Sequence, residues 1–574
     1  MADGQLDINL MKHTQDYAAH LKAQHAERNT QNTRMDNMYL LTWSDEETVK
    51  QKMKGVKITK SPDARNTIIG ASRLLIATDP VFSVPRDKND AEANTAAEPI
   101  EKAASQIWQR AGRVRGAPIQ DDVVLSMLLY AEAHIAVTRT SDLVEAAKGA
   151  SKAAQARAEE IAANTPVIFD VWAPSTGYPD LDSLGLRAYY REVTTTAGYV
   201  LDTFGDDARR ALGSQDDRYA NVVLCQFWDL DTRQIWLSGG EPIRQEANPY
   251  PFIPIVVQLG EGSQLFSKPE QQRQPFLYTL DKTGLWERQN LALTVLYTHL
   301  FGIGANPQFL FRTSGVAPDA EPDVDWDVPG GRIRLRPGEE FAPLAKNAID
   351  PSLLQGLEIA NQKVPESTIF PQALGQSLGG NAPYSLVALL SQAGRLPLAV
   401  PQKKSGWGIA KAMQIALAWY RETGEQHPSI DLKPAEVSQH MELEAQLEVS
   451  LPQDRLQNAN IATMLTKDNT TSMQWVRENV LKIEQSDEMD KRIFKEKASQ
   501  AMAMLFIQDQ LPKLFADMNQ QPQPGGAAPQ GMPAEQPPMQ GGLPPEMAEG
   551  GMAGPEQLPM EGGMPMEEGG ANAP

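Results

Sequence analysis

Asn248–Ile255 reads NPYPFIPI, and the way this stretch is read decides the fold. Three prolines in eight residues remove three ladder donors, so the segment is extended but cannot occupy the centre of a sheet. It therefore marks a boundary. On its N-terminal side, from Thr165 to Gly260, β-branched or aromatic runs at Val167–Trp172, Leu186–Val193, Tyr199–Phe204, Val222–Trp228 and Gln234–Leu237 alternate with Gly, Pro and Asp turns. That pattern predicts a largely antiparallel sheet. On its C-terminal side, Gln274–Phe301 predicts one long helix of roughly 40 Å at about 1.5 Å per residue, with a mixed polar first half and a largely apolar second half.

Further out, Asn66–Thr78 and Pro99–Ala111 predict helices. The second has Ile100, Ala103, Ala104, Ile107 and Trp108 on one stripe and Pro99 in its first turn. Val81–Val84 reads as a short strand between prolines. Asp121–Ala136 reads as a strongly apolar helix with acidic residues at its start, and Ala146–Ala163 as an exposed one. Beyond the long helix, Gln308–Arg312 and Gly331–Leu335 read as strands joined by an acidic loop. Ser352–Val364 follows as a helix stopped by Pro365, Thr368–Tyr384 as a loop rich in Gly, Gln and Asn, and Leu386–Tyr420 as helix bent around Pro397 and Pro401. Met441–Val449 is strand-like, and Gln453–Asp517 holds two or three more helices. Leu6–Asn32 is polar with weak helical spacing and reads as an exposed arm, with ordered structure starting near Met38.

The chain has 574 residues, 53 Lys and Arg against 73 Asp and Glu, and a formal charge of −20. Seven of those charges fall in residues 519–574, which hold twelve Gly, twelve Pro, seven Met and no Lys, Arg or aromatic residue. Such a segment buries too little apolar area to offset its ordering entropy and is expected to be a disordered acidic tail. The negative balance argues against affinity built on blanketing phosphates with positive charge. A lone Cys225, set in VVLCQF, excludes a disulfide framework and reads as a buried strand thiol. Met1–Thr30 is too polar for a signal peptide, and the longest apolar run, Leu291–Gly304, is too short to cross a membrane.

The motifs that suggest chemistry lack their context. Gly375–Gly379 matches G-x-S-x-G around Ser377, but no strand–turn–helix elbow surrounds it. Asp323, Asp325 and Asp327 mimic the start of a calcium loop, yet Val328 and Arg334 stand where Gly and Glu are required. No GxxxxGK[ST] is present, and Gly302–Gly304 lacks a dinucleotide fingerprint. Arg332, Arg334 and Arg336 share one face of a strand at period two. Two readings stay open for them: contact with a phosphate backbone or acidic partner, or a solvated face pairing with Glu339 and Glu340.

The order of the parts resembles the portal (head-to-tail connector) proteins of tailed bacteriophages, over about residues 35–515. The stretches that carry it are Arg65-Asn66 through DPVFSV at 79–84, Asn248–Ile255, NPQFL at 306–310, RIRLRPGEEF at 332–341 and Thr470–Lys497. The resemblance implies an α+β portal fold assembled as a ring of twelve copies. It implies an N-terminal arm (1–46), a wing of helices and antiparallel strands (47–273), a first stem helix (274–304) and a β-containing clip (305–348). A second stem helix (349–367), a tunnel loop (368–384), wing or channel helices (385–440), a helical crown (441–518) and the tail (519–574) complete it. It further implies a structural, non-enzymatic conduit at one capsid vertex of the virion, made in the host cytoplasm, for DNA packaging and ejection, without cofactors. The implied partners are other copies, the terminase large subunit, head–tail adaptor or tail proteins, major capsid and scaffolding proteins, and passing double-stranded DNA, with no membrane. Gln376, Ser377 and Asn381 would face the channel as uncharged donors, and Arg332, Arg334 and Arg336 would meet a clip partner. The competing readings are a monomeric scaffold or adaptor binding through its tail, and a serine hydrolase using Ser377.

Overall fold

The computed structural model describes residues 8–52, 56–85, 91–146, 152–213, 217–239, 242–263, 265–300, 309–313, 339–343, 351–366, 396–424, 426–437, 442–447, 493–495 and 497–499. The chain divides into two compact units, Met1–Ser472 and Met473–Pro574. Of the second, the described residues are helical at 493–495 and 497–499.

The first unit mixes helices and sheets. It begins with α1 (Ile8–Gln24), α2 (Ala26–Tyr39), α3 (Glu46–Lys52), α4 (Asp63–Leu75), β1 (Val81–Ser83), α5 (Ala91–Arg115) and α6 (Ile119–Tyr130). Then come β2 (Glu132–Arg139), α7 (Thr140–Ala146), α8 (Lys152–Asn164), β3 (Val167–Trp172), β4 (Gly177–Asp182), β5 (Gly185–Thr196) and α9 (Ala197–Leu212). The strands β6 (Asn221–Asp229), β7 (Thr232–Leu237), β8 (Pro242–Ala247) and β9 (Ile255–Leu259) precede α10 (Pro269–Gln272), α11 (Tyr278–Thr283) and α12 (Leu285–Tyr297). The described elements of this unit end with β10 (Phe309–Thr313), β11 (Glu339–Pro343), α13 (Pro351–Glu366), α14 (Ala399–Thr423) and β12 (Glu444–Gln446).

Every described strand pair is antiparallel, as the alternating runs predict. One sheet orders β3-β2-β9, with β2 buried at its centre and β9 at an edge. The proline-rich segment thus feeds an edge strand, where missing donors cost least. The second sheet runs β4-β5-β6-β7-β8. Its faces alternate along β6: Cys225 and Phe227 pack toward α1, while Leu224 packs toward α9. The main core lies between the first sheet and the helices α4, α5, α6 and α14. In α14, Ile409, Ala412, Met413, Ala416, Leu417 and Tyr420 recur at helical spacing and are buried. The larger of these contribute about 1.5–3 kcal/mol each. Gly406 lets this helix lie against β12, since a Cβ there would meet the Ala445 carbonyl.

Several expectations need correction. The N-terminal stretch is not an exposed arm: α1 covers one face of the five-stranded sheet through Ala18 and Leu21, and α2 buries Arg28, Gln31, Asn32 and Met35. Its packed stripe is largely polar and partly answered by the sheet (Gln234 Nε2 donates to Thr14 Oγ1 at 2.8 Å, and His25 Nε2 lies 2.9 Å from the Pro179 carbonyl), so hydropathy gave no sign of it. Asp121–Ala136 is not one helix. It ends at Tyr130, turns through left-handed Ala131 (φ 53°) and becomes β2, a change that an unbroken apolar run cannot announce. Tyr199–Phe204 belongs to helix α9, capped by Thr196, whose Oγ1 accepts from Tyr199 N. Pro99 lies inside α5 and not in its first turn, and α13 runs on to Glu366 through Pro365. Gln274–Phe301 is two helices: Gly284, at φ 61°, ends α11 and starts α12, which closes in a wider π-type turn at 298–300. The strand expected at Gly331–Leu335 lies outside the described residues; the strand paired with Phe309–Thr313 is Glu339–Pro343.

Candidate functional site

Past β9 the chain leaves the sheets, passes through α11 and α12, forms the β10–β11 pair and returns through α13, which packs on α12. The base of this excursion is held by polar contacts. Residues 57–61 run extended beside α12. Lys57 N donates to Thr298 Oγ1 at 3.0 Å, Thr59 N to Thr294 Oγ1 at 3.1 Å, and Ser61 N to Asn290 Oδ1 at 2.8 Å. Thr294 Oγ1 also donates back to the Thr59 carbonyl, and Trp286 Nε1 donates to that of Ser61. The pairing works because two extended residues advance about 6.6 Å and four helical residues about 6 Å. Each second residue of one therefore meets each fourth residue of the other. Gln289, almost fully buried, spends its amide donors on Asp63 Oδ2 (2.7 Å) and Asn361 Oδ1 (3.0 Å), which joins the departing helix to α13.

A second lock sits just upstream. Glu132, at the start of β2, is completely buried between Arg28 of α2 (Nη1–Oε1 3.0 Å) and Arg273, whose Nε donates to Oε2. Arg28 also donates to the carbonyls of Pro174 (2.8 Å) and Gly177 (2.7 Å). Burial alone would raise the Glu132 pKa, but the two guanidinium groups hold it well below the carboxylate range. His134 Nε2 lies 3.7 Å from Glu132 and its Nδ1 is 2.8 Å from the Tyr189 hydroxyl; burial pulls its pKa down. Burial, then Arg28 and Arg273, pull His25 to about 3, so both rings are neutral. The cluster therefore keeps one net positive charge and ties α2, β2 and the entry to α11 together.

The exposed face of α14 has a different chemistry. Lys403, Trp407 and Lys411 stand one turn apart and point to solvent, with Lys404 half-buried beside them. The Lys403 and Lys404 ammonium groups lie 5.0 and 4.5 Å from the Trp407 ring centroid. Burial and the like charges of Lys411 and Lys403 lower the Lys404 pKa. Mutually repelling lysines around an exposed indole favour an arriving anion.

Gln376, Ser377 and Asn381, and Arg332, Arg334 and Arg336, lie outside the described residues, as do the loop Thr368–Tyr384 and most of Gln453–Asp517. Among the described residues no group of His, Cys, Asp and Glu is placed to hold a metal, and no helix is long and apolar enough to cross a membrane. Cys225 is buried, and burial pushes its thiol pKa up. Sequence reasoning missed the α12 contacts and the Glu132 cluster, because isolated polar residues in apolar helices carry no motif. The α14 lysines had a readable signal, K-K-x-x-W-x-x-x-K.

No family profile and no curated protein matches the chain. Among solved structures it is similar to a chain in the neck of an empty GTA particle computed with C6 symmetry, at 10% identity and a TM-score of 0.40, over 76% of this chain and 93% of that one. A chain of the virion of a native gene transfer agent (GTA) particle matches at 10% identity and 0.39, over 76% and 93%. A chain in the neck of a native GTA particle computed with C12 symmetry matches at 11% and 0.35, over 76% and 98%.

Proposed function

We propose that this chain is a portal protein, a virion component that forms a closed ring of roughly twelve copies through which double-stranded DNA enters and leaves a capsid. One observation carries the reading: the chain path from a mixed α/β body through α12 to the β10–β11 pair and back along α13 into α14. In this reading α11–α12 and α13 are the stem, β10–β11 belong to the clip, and α14 follows the tunnel loop into the channel wall. Twelve copies at −20 each present a wall that repels the duplex, so it slides without sticking. The Lys403–Lys411 face gives a short, reversible hold on phosphates. Gln376, Ser377 and Asn381 add uncharged contacts from the tunnel loop. Arg332, Arg334 and Arg336 meet a docked motor, adaptor or neighbouring copy at the clip. The energy for DNA movement comes from the separate terminase motor, in keeping with the absence of a GxxxxGK[ST] sequence.

Native mass spectrometry of the purified protein, with two-dimensional class averages, tests the reading. A closed ring with a central hole is the expected result. A monomer that persists at high protein concentration overturns it and favours the scaffold reading.

A further inference from the structure

Two cavities beside the β2–β3 sheet share Val114 and Ile161 in their walls and so form one groove. The outer part, about 430 Å³, takes Arg110, Arg113 and Arg157 against one carboxylate, Glu160. The inner part, about 810 Å³, takes Arg115, Arg139, Arg191, Arg233 and Arg244 against Asp142, Glu145, Asp170 and Glu246. Eight arginines thus meet five carboxylates, with no lysine, in a chain of formal charge −20.

Three of the inner arginines lie over aromatic rings. The Arg191 guanidinium carbon lies 3.9 Å from the Trp172 ring centroid and that of Arg233 4.4 Å from Trp228; Arg139 sits 4.9 Å from Tyr250 and 5.8 Å from Trp419. Contact with a ring holds each guanidinium in place and leaves its N–H groups to find acceptors elsewhere. Some edges are used: Arg139 pairs with Asp142 at 3.0 Å and Arg233 with Glu246 at 3.1 Å. Others are not. Arg191 Nε, Arg233 Nε and Arg115 Nη1 are buried and have no hydrogen-bond partner in the structure. An unmet buried donor is destabilising. Three of them along one groove leave that cost open to an incoming acceptor.

We propose that this groove binds an extended acidic polypeptide segment of a partner protein. Carboxylates meet the orphaned guanidinium edges, and the intervening residues lie against Trp172, Trp228 and Tyr250. Fixed arginines and large aromatics are the residue types that dominate protein–protein binding energy. Duplex DNA fits worse, because its phosphates lie on a convex rod and the unmet donors are recessed between walls. The inference rests on the groove alone and stands whether or not the chain forms a ring.

The test uses the full chain and a fluorescein-labelled 16-residue peptide of alternating Glu and Pro, followed by anisotropy at low and moderate salt. Saturable binding that weakens with salt is expected. Arg113 and Arg157 are exposed, so Arg113→Glu/Arg157→Glu leaves folding intact, as a melting curve verifies, and weakens binding at least tenfold. Arg191→Lys keeps the charge, loses the guanidinium N–H groups and weakens binding about fivefold. The proposal is overturned by no saturation up to about 1 mM peptide, by equal affinity of the charge-reversed variant, or by an unlabelled 20-base-pair duplex that displaces the peptide at lower concentration than the unlabelled peptide does.

Discussion

Replacing Glu132 by Gln changes almost no volume and one charge, which makes it the sharpest probe of the buried cluster. In the native protein Arg28 and Arg273 share one carboxylate, and His25 and His134 are neutral, so the site holds one unbalanced positive charge. Glu132→Gln leaves two facing guanidinium groups in a region where Arg28 is 1% and Arg273 2% exposed. Removing one partner of a buried pair costs about 3–5 kcal/mol, and two partners are stranded here, so the upper part of that range is expected. The double variant Glu132→Gln/Arg273→Met returns the site to a single unbalanced charge. It should therefore be destabilised by less than the sum of the two single changes, with a coupling of about 2 kcal/mol. Arg28→Met should cost more than Arg273→Met, because it also strips the donors from the Pro174 and Gly177 carbonyls. Urea unfolding followed by tryptophan fluorescence reads these values, provided the denaturant slope stays constant across the set. A loss below about 1 kcal/mol for Glu132→Gln, or strict additivity in the double variant, refutes the account.

The buried His25 has a folded pKa of about 3 against about 6.5 unfolded, so its contribution is complete above pH 6.5 and drains away as pH falls toward 3. At pH 5 the loss from this ring is about 2 kcal/mol, seen as a falling urea midpoint, and His25→Gln flattens that slope. Gly284→Ala should cost about 1–2 kcal/mol in a thermal or urea melt, because a Cβ there makes only an ordinary contact (Glu287 Oε2 at 3.7 Å) and the penalty is that of the left-handed backbone alone. Asn290→Ala removes the acceptor of the buried Ser61 N–H and should cost about 1–3 kcal/mol, with hydrogen exchange at Ser61 rising in parallel. Lys403→Gln and Lys411→Gln should each lower the slope of log affinity for duplex DNA against log salt by about 0.9 while the mass of the assembled protein stays the same; an unchanged slope removes the α14 face from DNA contact.

What the sequence made legible follows from which interactions leave a period. Val222–Trp228 is buried on both faces and Val167–Trp172 mainly at Val167 and Phe169, so it was their β-branched and aromatic residues between turn signals, more than a strict alternation, that made both readable as strands. Ile100, Ala103, Ala104, Ile107 and Trp108 were readable as a stripe because helical spacing puts them on one face, and all five are buried. The helix-to-strand switch at Ala131 was not legible, since an element buried on all sides is apolar at every position and loses its period. The N-terminal helices failed for the opposite reason. Thr14, His25 and Arg28 are inside, but polar residues signal burial only when their partners are known, and those partners lie far away along the chain. The candidate site divides in the same way: the α14 lysines form a local pattern, whereas the Glu132 cluster draws on residues 28, 132 and 273, which no sequence window contains.

That division has a mechanical side. Apolar contact is nearly indifferent to sliding, because a helix shifted by one turn presents a similar stripe. The contacts at the base of the excursion are of the other kind. Thr59 both donates to and accepts from Thr294, Ser61 donates to Asn290, and Gln289 has its two donors committed to different elements. A one-turn slip of α12 re-forms part of the Thr298–Thr294–Asn290 ladder, but it parts Gln289 from Asp63 and Asn361 and Trp286 from the Ser61 carbonyl, leaving buried groups unmet at about 1–3 kcal/mol each. Polar locks are thus placed where α12 leaves the sheets, where a pull along the helix would otherwise slide it. Under the ring reading, force from a motor at the clip reaches the wing through these pairs, so a loosened pair such as Asn290→Ala should spoil transmission before it spoils assembly.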